Sequence, residues 1–388
     1  MRMRLGSYFP CLCFCCTLSS ALPRGAFGLR RMCGPVEPDP GNSGGGKVQK
    51  TSGSPLHQEG NVMKNTLLIS TMLSATAAFA ETPVLTVYAP DYFASEWGPG
   101  PAIEAEFEKT CGCDLQFSAG DLLPRIMLEG SSTDADIVIG LNTDVTKKAR
   151  ETGLFAEHGQ NNADLKLPIA WTDGTFLPFD WAYVSFVYNA DKMSTVPSSF
   201  EDLVNLPADH KIVIQDPRSS ISGLALVLWV KAVYGDKASD YWTRLSPNIL
   251  TVTSGWSEAY GLFTEGEADV VLSFNTSPSY HIVAEEDETK KAAIFEEGHY
   301  PYFELVAKVS SSDVPDVADA FMDFVMSSEF QSIIPFTNWS YPAAQSSDEW
   351  PEIFANLPAP GKTVYFNEQQ AAGIRNSAVE EWRNALSK

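Results

Sequence analysis

Between residues 84 and 151 the chain alternates three times between strand-like and helix-like patterns, and this alternation limits the possible folds more than any other feature. The apolar runs cover residues 84–88, 114–117 and 135–141, and the amphipathic runs cover residues 101–109, 122–129 and 144–151. Successive strand–helix–strand units favour parallel strands joined by right-handed crossovers. The sequence therefore predicts an α/β protein whose mainly parallel sheet is flanked by helices.

A second series of strand and helix patterns follows a long aromatic run at residues 175–188. Strands are predicted at residues 212–214, 251–253 and 270–272, and helices at residues 224–234 and 256–263. The length of the aromatic run indicates a strand that passes between two lobes, and a strand at 303–309 is predicted to return the chain to the first. The predicted domains are lobe 1 (81–183 and 298–345), lobe 2 (184–297) and a C-terminal helical segment (346–388).

Residues 63–80 have the pattern of a signal peptide. Met63 and Lys64 precede an apolar stretch at 66–77, and a small-x-small site ends at Ala80. The apolar stretch is too short to span a membrane. We therefore expect export to the periplasm with cleavage after Ala80. We interpret residues 1–62 as the result of a gene model that starts too early, with the true translation start at Met63, or as a disordered extension.

The charge balance excludes some classes of partner. The chain has 49 acidic and 27 basic residues and a formal charge of −22. Because the first 80 residues carry eight of the basic and three of the acidic residues, the charge of the remainder is about −27. Such a chain repels nucleic acid and anionic membranes, whereas it suits a cationic ligand.

The sequence offers little for catalysis or metal binding. After residue 80 the only cysteines are Cys111 and Cys113, which we expect to form a structural local disulfide in an oxidising compartment. No nucleophile elbow, metalloprotease or phosphate-binding loop motif occurs. The four histidines of this region are isolated in the sequence: His158, His210, His281 and His299. A non-enzyme with no metal and no cofactor is therefore favoured.

Several aromatic and polar residues lie where strands meet helices, which is where ligands bind in open α/β sheets. The candidates are Trp97, Asp121, Ser220, Trp256, Phe274, Asn275, Thr276, Ser277, Tyr280 and Trp339. Aromatic faces bind cations, and the helix start at Ser220 could accept an anionic group. The alternative is that the aromatic residues belong to the core, and that Ser220 and Asp121 only cap helices.

The chain from residue 84 onward resembles the periplasmic thiamine-binding proteins that serve ABC importers. The matching segments are EWGPGP at Glu96, TFLPFDWAY at Thr175, QDPRSS at Gln215, TVTSGWSEAYGLF at Thr251, TSPSYH at Thr276 and NWSYP at Asn338. The resemblance implies a two-lobed type II periplasmic-binding-protein fold that closes a hinged cleft on thiamine or its phosphates. It also implies a monomer that meets a membrane permease and its ATPase.

The resemblance also assigns site residues. Trp97, Trp256, Tyr280 and Trp339 would enclose the two rings of thiamine, and Phe274 to Ser277 would border them. The remaining assignments are Ser220 and Ile221 at the phosphate or hydroxyethyl end, with Gly120 and Asp121 at a further contact. The chain departs from the family pattern at Phe274, where a tyrosine is usual, at Ile221, where a hydroxyl residue is common, and near Pro90, where Tyr92 is a candidate substitute for a missing tyrosine.

Two other functions remain open at this point. A related binding protein for a polyamine or ferric iron would share the fold and the export signal, and His299, Tyr300 and Tyr302 are the faint candidates for iron ligands. An exported thiamine-degrading enzyme would need a nucleophile, for which Cys111 and Cys113 supply the only thiols after residue 80.

Overall fold

The computed structural model describes residues 81–193 and 195–387, so the predicted signal peptide and the segment before it lie outside the described residues. The strands are β1 (Val84–Ala89), β2 (Asp114–Ala119), β3 (Ile137–Asn142), β4 (Leu177–Asn189), β5 (Ile212–Gln215), β6 (Ile249–Thr253), β7 (Val270–Phe274), β8 (Lys290–Ala293), β9 (Pro301–Lys308) and β10 (Tyr341–Pro342). The helices are α1 (Asp91–Ala94), α2 (Gly100–Cys111), α3 (Leu122–Glu129), α4 (Thr146–Glu151), α5 (Phe200–Val204), α6 (Ile221–Tyr234), α7 (Ala238–Leu245), α8 (Trp256–Thr264), α9 (Pro278–Ala284), α10 (Pro315–Val325), α11 (Ser328–Thr337), α12 (Glu352–Ala355) and α13 (Glu368–Leu386). Among these helices, none combines the length and the apolar character that a membrane crossing requires.

The strands of the described region form one mixed sheet in the order β2-β1-β3-β9-β4-β7-β5-β6, with β8 and β10 each pairing with β4. The predicted parallel pairing of the first three strands is confirmed, because β1 pairs in parallel with both β2 and β3. The strand β9 then lies antiparallel between β3 and β4. The chain returns late to the first three strands as β9, so the middle of the sheet is antiparallel, with β3 and β4 on either side of β9.

The long strand β4 joins two halves of the molecule. Its residues Leu177 to Tyr183 pair with β9, whereas Val184 to Tyr188 pair with β7. We call β1–β3, β9, β10 and the start of β4 the first half, and β5–β8 and the end of β4 the second half. Each half has its own apolar core. The partner change in the middle of β4 suits a hinge, and the lobe boundaries given above stay a prediction.

Three elements differ from the sequence expectation. A short helix, α1, lies between β1 and α2, in a segment for which no element is predicted above. Helix α6 begins at Ile221 rather than three residues later, because the Ser220 hydroxyl accepts the Gly223 N–H and caps it. Phe274 is the last residue of β7 rather than part of the following loop. These differences change the positions of the polar and aromatic residues relative to the ends of the strands.

The C-terminal helix α13 packs on α6 and α7 of the second half. It buries Ala371, Ala378 and Trp382, and a half-buried ion pair joins Glu381 to Lys231 of α6 at 2.9 Å. The helix is therefore amphipathic rather than a uniformly polar surface helix. In the first half, Cys111 and Cys113 are joined in a disulfide at the end of α2.

Candidate functional site

The strands of both halves end toward a shared region where loops and helix starts converge. From the first half, the chain leaves β1 toward Tyr92 and leaves β2 at Gly120. From the second half, β6 leads into Trp256 and β7 ends at Phe274. Parallel sheets place ligands outside the carboxyl ends of their strands. The middle strands β4 and β9 connect these two groups of strand ends, so they form the floor of the candidate site.

Trp256 is held firmly at the start of α8. Its indole N–H donates to the Ser273 hydroxyl at 2.9 Å, and its ring stacks on Tyr260 with centroids 4.6 Å apart and planes 21° apart. Ser273 in turn shares a hydrogen bond with the Ser277 hydroxyl at 2.7 Å. The indole is therefore tied to the end of β7 and has little rotamer freedom left to lose when a ligand binds.

An aromatic series continues from Trp256 into the first half. The Tyr260 ring lies 5.7 Å from the His281 ring, and Tyr280 lies beside His281. Tyr280 then meets Trp339 edge-to-face, with centroids 5.2 Å apart. Since Trp339 follows α11 in the first half, this last pair joins side chains from both halves. The structure thus brings together three of the four rings that the sequence assigned to the site.

Trp339 has a backbone conformation that is rare for a side-chain-bearing residue, with φ at +53°. A large non-glycine residue in this region is strained by roughly 1–3 kcal/mol and persists only where its surroundings fix it. Its neighbour Asn338 supplies such a constraint, because its amide is hydrogen-bonded to two carboxylates. Strain of this kind is concentrated at ligand sites, which supports a binding role for the ring.

The segment from Phe274 to Ser277 has a structural role in addition to its assigned one. The Phe274 ring contacts Tyr302 of β9, with centroids 4.9 Å apart. Asn275 is fully buried: its Oδ1 accepts the Tyr183 N–H at 2.9 Å, and its amide donates to the Tyr341 hydroxyl at 2.9 Å. The side chain of Asn275 thus fastens β7 to β4 and β10. A direct ligand contact by Asn275 or by the buried Thr276 stays a prediction.

The start of α6 offers free backbone donors. The Ser220 hydroxyl is bonded to the Ser222 hydroxyl at 2.9 Å as well as to the Gly223 N–H. The N–H groups of the first helical turn, at Ile221 and Ser222, have no intrahelical acceptor. Gly223 lets the helix press against β5, since a Cβ there would lie 2.5 Å from the Gln215 carbonyl oxygen. The helix start is therefore fixed in place and suits an anionic or hydroxyl group.

The remaining predicted residues are not joined to the aromatic series. Trp97 follows α1, is 64% exposed and makes no ring contact with another aromatic residue of the described region. Asp121 is exposed at the start of α3 and makes no capping bond, and Gly120 before it has φ at +144°. Asp121 thus keeps its acceptors free. The ligand contacts of all three stay predictions.

A buried acidic pair lies between the central strands β4 and β9, and the sequence patterns do not predict it. Asp180 on β4 lies directly opposite Glu304 on β9, and both are buried. The Asn338 amide donates to Asp180 Oδ2 at 2.5 Å and to Glu304 Oε2 at 2.6 Å, while the Tyr92 hydroxyl donates to Glu304 Oε1. The available signal was a single acid among the mostly apolar residues of each strand.

Burial makes the ionisation of the acidic pair unfavourable. Burial, followed by repulsion from Glu304, raises the pKa of Asp180 well above its usual range. Burial likewise raises the pKa of Glu304, although hydrogen bonds from Tyr92 and Asn338 oppose this shift. Oδ1 of Asp180 is buried without a donor. Burial therefore disfavours the ionisation of both carboxyl groups at once.

The pair predicts how the stability of the ligand-free protein varies with pH. Since the folded-state pKa of Asp180 is raised, its contribution is fully present below the unfolded pKa and is lost as the pH rises through the folded pKa. Asp180→Asn keeps the shape and can donate to Glu304. We therefore expect a melting temperature above that of the wild type at pH 9 and a smaller difference at pH 5, measured by differential scanning fluorimetry. The exposed control Asp209→Asn should change neither value, and an equal destabilisation of Asp180→Asn at both pH values would contradict the assignment.

The histidines are engaged in structural bonds. His299 is fully buried: its Nδ1 donates to the Val184 carbonyl and its Nε2 accepts the Phe295 N–H. Burial lowers the pKa of His299 to about 4. Neither ring nitrogen is free for a metal, so the faint ferric-iron constellation around His299 is not supported by its geometry.

His281 lies near two carboxylates, with ligand atoms of His281, Glu285 and Asp287 all within 4.8 Å. Both imidazole nitrogens are already bonded, Nε2 to Tyr260 and Nδ1 to Glu285, and Asp287 pairs with Lys290. These bonds explain the cluster as part of the support for the aromatic series. A separate groove of about 550 Å³ is lined by residues from 162 to 171 and contains none of the predicted ligand contacts.

The fold and the site define a class of protein. Two α/β halves joined through central strands, with aromatic and polar residues at their strand ends, are the features of a type II solute-binding protein. Residues 132–361 match the family of bacterial extracellular solute-binding proteins. A solved ferric-binding protein from Campylobacter jejuni has the same fold, with a TM-score of 0.65 at 18% identity over 78% of this chain and 99% of that one.

Relatives with higher sequence identity define the family more closely. The thiamine-binding periplasmic protein of Salmonella typhimurium is 44% identical over 321 residues, which are 82% of this chain and 97% of the relative. That of Haemophilus influenzae is 42% identical over 329 residues, 83% of this chain and 98% of the relative. A solved periplasmic thiamin-binding protein has a TM-score of 0.76 at 42% identity and covers 79% of this chain and 97% of its own. The chain belongs to the family of periplasmic thiamine-binding proteins.

Proposed function

We propose that this protein captures thiamine in the crevice between its two halves and delivers it to an ABC importer. The single observation that carries the proposal is the aromatic series, which starts at Trp256 in the second half and ends at the contact between Tyr280 and Trp339 of the first. The thiazolium ring of thiamine is a flat cation. Such a cation gains about 0.5–2 kcal/mol or more over each aromatic face, with the larger values when water is excluded.

The polar groups of the site fit the rest of the ligand. The acidic pair of Asp180 and Glu304 has no Lys, Arg or His within ion-pair distance among the described residues, so it favours a cation in the crevice. The free N–H groups at Ile221 and Ser222 suit the hydroxyethyl end of thiamine or a phosphate attached to it. The absence of the tyrosine hydroxyl at Phe274 removes one donor at the border of the site. Thiamine, its monophosphate and its diphosphate are therefore the ligand series to compare.

Binding would join the two halves. Ring faces from both halves contact one ligand, so the ligand has a higher affinity for the closed arrangement and shifts the population toward it. The partner change in the middle of β4 supplies the pivot. The closed form, exported and cleaved after Ala80, would then dock as a monomer on a permease driven by an ATPase. Catalysis is not part of the proposal, since both cysteines after residue 80 are joined in a disulfide.

Isothermal titration calorimetry tests the proposal. The chain from Glu81 onward, freed of co-purified ligand by unfolding in guanidinium and refolding, is titrated with thiamine. We expect one site with a Kd below about 1 μM, equivalent to about −8 kcal/mol. Choline, spermidine and ferric citrate serve as comparison ligands of the alternative classes and should bind at least a hundredfold more weakly. Saturable binding of spermidine or ferric iron without binding of thiamine would contradict the proposal.

A further inference from the structure

The floor of the crevice contains an uninterrupted polar row across three strands. In the sheet register Asn142 of β3 lies opposite Glu304 of β9, and Glu304 lies opposite Asp180 of β4. Residues paired in this way project to the same face of a sheet. All three are at least nine-tenths buried. The row thus forms a continuous buried polar surface across the three strands.

Two acceptor atoms of this row have no donor in the described part of the molecule. They are Oδ1 of Asn142 and Oδ1 of Asp180, one on each side of Glu304. Buried acceptors without partners cost about 1–3 kcal/mol each, and they are uncommon in native proteins. Their presence on both sides of a carboxylate indicates a surface prepared for a ligand that brings positive charge or N–H donors.

The row lies next to the ligand site rather than in a remote part of the core. Asn338, which donates to both acids, directly precedes Trp339 of the aromatic series. Tyr302 lies two residues from Glu304 on the same face of β9 and contacts Phe274. On the first-half side, Tyr92 reaches Glu304 from α1. Asn338 therefore links the acids directly to the residue at the first-half end of the aromatic series.

The other titratable groups around the pair do not neutralise it. Burial, and to a smaller extent the charge of Glu304, raises the pKa of both Tyr92 and Tyr302. Both side chains therefore remain neutral hydroxyl donors. Asp144, behind Asn142, is the next acid, and burial raises its pKa to about 7 while Arg375 of α13 opposes the shift. None of the described ion pairs joins a cation to Asp180 or Glu304. Among the described residues the pair thus lacks an ion-pair partner, which a cationic ligand would supply.

We propose that Asp180 and Glu304 are the charge-selecting residues of this site: they share one proton in the ligand-free protein and release it to solvent when the thiazolium cation binds. The inference rests on the proposed function. The step balances, because one O–H bond of the carboxyl pair breaks, its proton passes to a buffer base, and the bound cation replaces the lost positive charge. Proton release links affinity to pH, so thiamine affinity rises with pH until the free pair is ionised and is then constant.

Calorimetry in two buffers of different ionisation enthalpy, phosphate and Tris, counts the released protons. With the wild-type protein at pH 7 we expect up to one proton released per thiamine bound, and an affinity that falls at least tenfold between pH 8 and pH 5.5. The ligand control is 3-deazathiamine, in which a carbon replaces the charged ring nitrogen and the aminopyrimidine is retained. It should release no proton and should bind at least tenfold more weakly than thiamine at pH 8.

Variants separate charge from shape. Asp180→Asn retains the size of the side chain and its bond with Asn338, and it should abolish proton release and reduce the preference for thiamine over 3-deazathiamine to less than threefold. The exposed control Glu267→Gln, in the turn that follows α8, should behave as the wild type. If Asp180→Asn does not fold, Tyr92→Phe supplies the second test: removal of the hydroxyl that donates to Glu304 should shift the pH midpoint of binding upward.

The outcomes distinguish this inference from the proposed function. Tight thiamine binding by the wild type with no proton release from pH 5.5 to 9, or with equal affinity for 3-deazathiamine, would overturn the role of the acidic pair and leave the proposed function intact. A wild type that binds neither compound would overturn both. Proton release that persists unchanged in Asp180→Asn would place the titrating group elsewhere and overturn the inference.

Discussion

Replacing Trp256 with alanine is expected to weaken thiamine binding by at least tenfold, equivalent to about 1.4 kcal/mol. The substitution removes the ring face on which the cation would lie, and it also leaves the Ser273 hydroxyl without the indole N–H that it now accepts at 2.9 Å. The partner ring Tyr260 would lose its stacking neighbour. Calorimetry on the variant, after its fold has been checked by circular dichroism, measures the change in Kd.

The matched control is Trp256→Phe. It keeps an aromatic face at the start of α8 and loses only the N–H and the larger surface, so its affinity should lie between those of the wild type and the alanine variant. Indole is the strongest cation-binding ring and benzene a weaker one. An alanine variant with wild-type affinity would show that the ligand does not use this ring, and the site would have to be sought elsewhere.

Replacing Asn275 with alanine is expected to destabilise the whole protein by roughly 2–5 kcal/mol. The side chain is fully buried, and its loss leaves the Tyr183 N–H without an acceptor. The Tyr341 hydroxyl and the Pro358 carbonyl oxygen lose their donor in the same step. Because these bonds connect β7, β4, β10 and the segment before α13, the effect should spread over both halves and appear as a loss of several degrees in melting temperature.

Asn205→Ala is the control for this prediction. Its amide also donates to a backbone carbonyl, that of Glu201, but the residue is exposed at the end of α5. Surface substitutions of this kind change stability by about 0.5 kcal/mol or less. Equal melting temperatures for the two variants would mean that the Asn275 bonds do not hold the halves together.

The strands and their parallel pairing could be predicted because their information is local. Alternating apolar runs and helical periods identified β1, β2 and β3, and the aromatic run identified β4. The first and last residues of a helix or strand are harder to predict where a single side chain determines them. The Ser220 cap places the start of α6 at Ile221, and pairing with β4 extends β7 to Phe274. The apolar pattern of the sequence shows neither the cap nor this pairing.

The candidate site could be predicted only in part, for a physical reason. Trp256 and Tyr280 each follow a strand closely in the sequence. This local pattern is enough to predict that they lie at strand ends, where ligands bind. The pairing of Asp180 with Glu304 depends on the register of β4 with β9, and no local pattern contains that register. Trp97 stays a prediction: its position after a strand matches that of the other aromatic residues, but the spacing does not tell which way an exposed side chain faces.

A crystal structure of the protein with thiamine tests the account most directly. We expect one thiamine between the two halves, with a ring face within van der Waals distance, about 4 Å, of Trp256 and with Tyr280 and Trp339 on the same ligand. The acidic floor of Asp180 and Glu304 should lie beneath it. A thiamine bound outside this crevice, such as in the groove lined by residues 162 to 171, or touching only one half, would contradict the account.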